Sequence, residues 1–284
     1  NSTALIASQV PKNQSGYALG TLSTGTVAGT LMGPLLGGLI AEQFGMRNVF
    51  LLVGFFLFLV SVLTWWGIEE DYQQISKEEH LSSWELLTSI QHKDILLGLF
   101  LTSMTIQMIG QSISPILPLY VRELGQSDNV IFVSGLIVSA MGISSILTSG
   151  WMGKLGDKIG NHRLLLLALL YSGILYIFCA LAQTPFQLGL LRFLFGIGTG
   201  ALMPGVTALL NRMTPKEGIS RIFSYNQLFF YVGGVLGPLM GSSIAMHVNY
   251  HWVFYGTAIL AFIDLAFLLF IFRKYLKVRE ISAH

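Results

Sequence analysis

Charge is what this sequence has least of. Only 11% of its 284 residues are Asp, Glu, Lys or Arg, against roughly 25% in an ordinary soluble domain. With 53% hydrophobic residues and a mean hydropathy of +0.66, so little charge could not keep the chain in water. Seven of the 14 acidic residues fall between Glu69 and Asp94, and most others lie near the ends of long apolar runs. That composition is the mark of an integral membrane protein. The single cysteine, Cys179, sits in an apolar segment, which excludes a disulfide framework or a Cys-based metal site. The net charge is only +2 and the basic residues are spread over short loops, so no face suits a nucleic acid. No alternating strand pattern is present, which argues against a barrel. The chain opens Asn1-Ser2 without Met and without a signal-peptide pattern. That start is expected to be cut rather than natural.

What is present is a series of apolar runs. A helix needs about 20 apolar residues to cross the hydrocarbon core. Eight segments qualify: 17–43, 47–67, 94–124, 130–152, 163–182, 187–211, 219–247 and 250–273. Alternate loops hold Lys12; then Lys154, Lys158 and Arg163; then Arg212, Lys216 and Arg221; and the tail adds Arg273, Lys274, Lys277 and Arg279. The opposite loops hold Arg47 and Arg122. By the positive-inside rule the richer side, with the C-terminus, is cytoplasmic. The polar stretch 68–93 then also lies inside. Ser82 and Glu85 fit a capping box there, and Leu81, Trp84, Leu87 and Ile90 would share a helix face. It reads either as a surface helix joining two halves or as a plain tether.

One segment, "GTLMGPLLGG" (29–38), concentrates four glycines and a proline within an apolar run. These are the residues a soluble helix interior tolerates least. A shift of 204 positions aligns 2–50 with 206–254 without a gap, and 14 of the 49 pairs are identical. Gly29, Gly33, Pro34 and Gly37 match Gly233, Gly237, Pro238 and Gly241. Such a repeat reorganises the fold. The second half (94–284) has six spans and the first half (1–67) only two, with 68–93 as central linker. The expected parent is therefore a pair of six-helix bundles, of which this chain holds eight helices.

The segment "GKLGDKIGNHR" (153–163) and the glycine motif together resemble the major facilitator superfamily, in particular its drug–proton antiporters. The whole chain is similar to the PmrA-like multidrug efflux pumps of Gram-positive bacteria. Gly153, Leu155, Asp157, Lys158, Gly160 and Arg163 occupy the positions of the superfamily's loop signature. Gly29, Gly33, Pro34, Gly37 and Gly38 fill the fifth-helix antiporter motif G-x-x-x-G-P-x-x-G-G. The resemblance implies an all-α fold with helices 5–12 of twelve present. It also implies that Asp157 contacts the cytoplasmic end of helix 11, near Ser220 and Arg221, and latches one transport state. A charged turn that only sets topology is the alternative. The fifth-helix motif implies export and a seam that limits leak.

Other candidates are weaker. Gly196, Gly198 and Gly200 in "FGIGTGALMPG" lie within one apolar span, so they suit helix packing rather than a nucleotide loop. Arg192 opens "RFLFG", which the resemblance aligns with the family's R-x-x-Q-G motif, Phe195 replacing the glutamine. It reads as a functional cation or as a snorkelling structural one. Asp264, whose repeat counterpart is Val60, lies mid-span, where a carboxylate costs roughly 2.5–3.5 kcal/mol. It is the natural candidate for proton coupling, although the resemblance places its helix in the outer layer. Gln107, Gln111, Asn226 and Phe230 are pathway candidates beside Ser114, Tyr225, Gln227, Phe229 and Tyr231. The alternative for each is interhelical hydrogen bonding or packing.

The expected function is export of amphipathic drugs or related organic compounds across the plasma membrane in exchange for protons. The chain would be multi-pass and monomeric, with partners limited to lipid, protons and small organic substrates. It would use the proton gradient and no cofactor or metal. A specific metabolite or sugar exporter of the same fold is one alternative, and a non-transporting membrane protein or inactive fragment another. No constellation of nucleophile and base, metal ligands or phosphate loop points to an enzyme.

Overall fold

In hydrocarbon an unpaired backbone N–H or C=O is too costly to leave open, so an apolar chain of this kind crosses as helix. A computed structural model describes residues 29, 32–67, 93–214 and 219–281, with the backbone alone for 67, 219–220 and 274–281. Among the described residues all regular structure is α-helical. Helix α1 covers 32–44. It is followed by α2 (Met46–Gly67), α3 (Lys93–Gln111), α4 (Leu117–Glu123), α5 (Val130–Ile159), α6 (Asn161–Ala180), α7 (Pro185–Met213), α8 (Ile219–His247) and α9 (Tyr250–Ile281). Seven of these, α2, α3 and α5 to α9, are long and apolar enough to cross a membrane.

The sequence marks several boundaries with specific chemistry. Thr184 caps α7: its Oγ1 accepts from the Gln187 N–H at 3.2 Å, while Gln187 Oε1 accepts from the Gln183 N–H at 2.9 Å. Pro185 follows at the first helical position, where its missing N–H costs nothing. Gly160, with φ +96°, turns the chain between α5 and α6, a conformation only glycine adopts without strain.

Two expectations change. The run 94–124 is not one helix: α3 ends at Gln111, a turn takes 112–116, and α4 starts at Leu117. Pro115 and Pro118 lie in or just beyond the break, and proline cannot supply the N–H that a continuing helix requires. The signature 153–163 is not a loop. Helix α5 runs through Gly153 and Gly156 to Ile159, and Gly160 alone makes the turn. The linker 68–92 and most of the first expected span lie outside the described residues.

Packing is layered. Helix α7 is wedged between α5 and α6; α8 lies on α3; α9 lies on α6 and α3. Two buried clusters are stacked along the helix axes, one around Leu99, Leu165, Leu202, Ile222 and Leu268, the other around Ile109, Tyr120, Tyr176, Leu188 and Phe254. Lipid tails are as apolar as leucine, so close contact rather than escape from water must hold these helices together. The glycines of α7 show how. A methyl at Gly196 would strike Ser144 and the Met141 carbonyl of α5; one at Gly200 would lie 2.6 Å from Thr148 Oγ1; one at Gly198 would lie 2.8 Å from the Tyr171 ring of α6. The three glycines therefore serve packing on both sides of α7.

Candidate functional site

Among the described residues three groups of polar side chains stand out, two buried between helices and one exposed at the end of α5. The first centres on α3. Consecutive residues Thr102 and Ser103, both fully buried, reach in different directions. Thr102 Oγ1 donates to Asp264 Oδ1 of α9 at 3.1 Å. Ser103 Oγ donates to Asn226 Oδ1 of α8 at 2.7 Å. Asp264 is 4% exposed, and its Oδ2 has no hydrogen-bond partner among the described residues. The resemblance put this helix in an outer layer, but the carboxyl faces inward against α3. Phe229 of α8 stacks on Phe100 of α3 at 5.5 Å, one turn from the Asn226 contact.

The second group surrounds Arg192, which is 2% exposed. It does not snorkel. Its Nη1 donates to the Tyr176 hydroxyl at 2.9 Å, and that hydroxyl donates to the Ile109 carbonyl at 2.6 Å. The guanidinium carbon lies 5.5 Å from the Phe195 ring centre and 6.0 Å from that of Tyr176. Phe195, which stands where the family motif has glutamine, thus offers a ring face to the cation. Arg192 and Asp264 do not pair. The Ile109 carbonyl lies next to the break in α3, so the cation is tied to that break through Tyr176. Ser112, inside the break, also shares a 3.0 Å hydrogen bond with Thr257 of α9.

The third group is at the end of α5. Asp157 pairs with Arg212 at the end of α7 at 3.5 Å, both side chains well exposed. Lys158 and Arg163 are also exposed, and a methyl at Gly153 would meet nothing within 4 Å. Gly156 packs on Asn161. The side chain of Ser220 lies outside the described residues, and the contact drawn for Asp157 is with the preceding helix.

The remaining candidates divide. Gln107 is half-buried and near Gly234 of α8; Gln111 accepts from Ser114 Oγ at 2.9 Å within the turn. Phe230 is half-buried, edge-on to Tyr231 at 6.2 Å. Asn226 is buried in the α3–α8 interface. A cavity of about 310 Å³ lies where α1 meets α5 and the turn after α3, lined by Pro34, Gly37, Gly38, Ser114, Ser134 and Gly135 among others. Beside it, Pro34 and Gly38 of α1 cross α5: a methyl at Gly38 would sit 3.0 Å from the Ile131 carbonyl oxygen, and one at Gly135 would strike that of Pro34. Gly29, Gly33 and Gly37 have no such neighbour among the described residues. In α8, Gly233, Gly237 and Gly241 lie directly on the backbone of Met104, Met108 and Ser112, with 2.7 Å between a methyl at Gly237 and the Met108 oxygen.

Thr102, Ser103 and Tyr176 carried no sequence signal, because isolated hydroxyls in apolar helices are common and only their neighbours give them meaning. Among the described residues no cluster of His, Cys, Asp or Glu could hold a metal ion.

Helices of this length, polar groups buried between them and an internal repeat define a polytopic membrane protein. The chain belongs to the Major Facilitator Superfamily, whose model matches it over residues 1–134 and again over 95–283. It is 62% identical over 281 residues to the multi-drug resistance efflux pump PmrA of Streptococcus pneumoniae serotype 4, covering 99% of this chain and 70% of that protein. It is 51% identical to the PmrA homolog of Lactococcus lactis subsp. lactis, over 99% of this chain and 70% of the relative. With the multidrug resistance protein MdtG of Salmonella arizonae it shares 48% over 259 residues, which is 91% of this chain and 64% of the relative. Its fold matches a bacterial homolog of the human lysosomal transporter Spinster, in an inward-facing and unoccupied conformation, with a TM-score of 0.77 at 17% identity, covering 97% of this chain and 74% of that one.

Proposed function

We propose that this protein exports amphipathic drugs and related organic compounds across the plasma membrane in exchange for protons. The observation that carries the reading is the 62% identity, over nearly the whole chain, to a protein named a multidrug efflux pump. The glycine-proline crossing of α1 with α5 supports it. Backbones in contact there can hold one packed arrangement and release it without moving a bulky side chain. Alternating access would come from rocking of the two repeat-related halves. The exposed Asp157–Arg212 pair, with Lys158 and Arg163 beside it, would act as a latch at the cytoplasmic end. Gln107, Gln111, Asn226 and Phe230 would bear on the pathway, where aromatic faces suit organic cations. The proton gradient is the energy source and no cofactor is needed. The protein works as a monomer with its C-terminus in the cytoplasm.

The test is dye movement in everted membrane vesicles carrying the chain. An imposed acid-inside gradient should drive uptake of a lipophilic cationic dye, and a protonophore should abolish it. Dye insensitivity with competition by a single metabolite would replace this reading with a specific exporter. No movement of either would make the chain a non-transporting membrane protein.

A further inference from the structure

The geometry points to Asp264 and Thr102 as a proton-binding site that couples the protonation of α9 to the position of α3. The inference rests on the proton-exchange reading above and names the group that takes the proton.

Asp264 is a carboxyl enclosed between helices, with one oxygen held by Thr102 of α3 and the other facing no donor. Protonation adds one proton to the carboxylate and removes its charge. An ionised carboxylate in this position would hold a full charge against apolar side chains with a single donor. Losing the proton must therefore change what surrounds Oδ2, by admitting water or by moving α9 away from its neighbours. Taking it up allows the closed packing seen here.

The motion has a route through the structure. Thr102 is followed directly by Ser103, which is bonded to Asn226 of α8. A shift of α3 relative to α9 therefore pulls on α8, the helix whose glycines lie on the α3 backbone. Because α3 has two polar attachments in succession, a change at one bears on the other. The repeat counterpart of Asp264 is Val60 on α2, so the first copy has no carboxyl at this position.

Among the described residues no other titratable side chain takes part in this contact. On α6, His162 meets Phe272, eight residues or about 12 Å along α9, and Tyr176 meets Phe254, ten residues the other way. On α3, Asp94 is in the exposed first turn. On α8, Tyr225 borders the same apolar core. Arg192 is engaged with Tyr176.

Two measurements on the full chain in lipid test this. The first is the infrared difference spectrum between acid and alkaline pH, read at the carboxylic C=O stretch. The wild type should show a titrating band that D264N loses. T102V should move it to higher frequency, because the carbonyl loses a donor. Absence of the band from the wild type, or its survival unchanged in D264N, overturns the assignment. The second is the ratio of gradient-driven to gradient-free dye movement in everted vesicles. It should fall at least tenfold in D264N and recover in D264E; a ratio within twofold of wild type in D264N overturns the coupling. Detergent-extracted D264N that elutes as the wild type does shows that the variant is folded. A wild-type chain that moves no dye under any gradient defeats the export reading, and the infrared band still decides the proton site.

Discussion

The two copies of the repeated glycine motif have the same small residues and different surroundings. In α8, Gly233, Gly237 and Gly241 lie against the α3 backbone so closely that no side chain fits. At the start of the chain, no described residue comes within 4 Å of a methyl placed at the corresponding Gly29, Gly33 or Gly37, while Pro34 and Gly38 lie against α5. The helices that follow differ in the same way. Helix α9 buries Val253, Phe254, Thr257, Ala261 and Leu268, while every side chain of α2 from Phe50 to Trp66 is exposed. A motif of small residues therefore confers the capacity for close approach. Whether that capacity is used depends on a partner helix with a matching path.

The strongest test of this contrast is one methyl group at equivalent sites. Gly241→Ala places it on the Ser112 carbonyl and is expected to cost about 1–3 kcal/mol, the usual range for an overfilled contact. Gly33→Ala meets no described residue and gains the helix preference of alanine, about 0.5–1 kcal/mol. Reversible unfolding in mixed detergent micelles reads both, and equal effects would erase the distinction between the copies.

A hydroxyl removed from each region comes next. Tyr176→Phe leaves the buried Arg192 guanidinium without its hydroxyl partner and the Ile109 carbonyl without its donor. The expected loss is about 1.5–3 kcal/mol, as for a hydrogen bond to a charged group. Thr64→Val in α2 removes only an exposed bond to the Val60 carbonyl and should stay within about 0.5 kcal/mol. The same unfolding measurement applies.

The smallest expected effect on stability is at the end of α5. The Asp157–Arg212 pair is exposed on both sides, and such pairs contribute roughly 0–1 kcal/mol, less in salt. Asp157→Asn should leave the unfolding midpoint almost unchanged. If the pair latches a transport state, dye efflux falls all the same, so that a large change in rate with none in stability separates a latch from a surface charge.

Much of the fold was legible because hydrocarbon leaves so few choices. The long apolar runs of α5 to α9 appear close to their expected places, since a span of that length must be helical wherever it packs. The break after Gln111 was written in Pro115 and Pro118, but the apolar character of the whole run concealed it. The family resemblance implies a loop over 153–163. Helix α5 continues to Ile159 because a glycine inside a helix costs only about 1 kcal/mol, and a single residue, Gly160, is enough to turn the chain.

By itself the sequence determined the class of the molecule. Its scarcity of charge, the span lengths, the 204-residue repeat and two glycine-rich motifs identify a polytopic membrane protein of one superfamily, since each depends on local composition and spacing. Only the tertiary structure decided the partners of the few polar groups. Arg192 turned out to be buried against Tyr176 and Phe195, Asp264 to face Thr102, and the glycines of one motif copy to lie on the α3 backbone. Those outcomes depend on the rotation and depth of neighbouring helices. An apolar span of fixed length fits the bilayer at any rotation about its axis, so the sequence of one helix cannot specify which of its side chains will meet another.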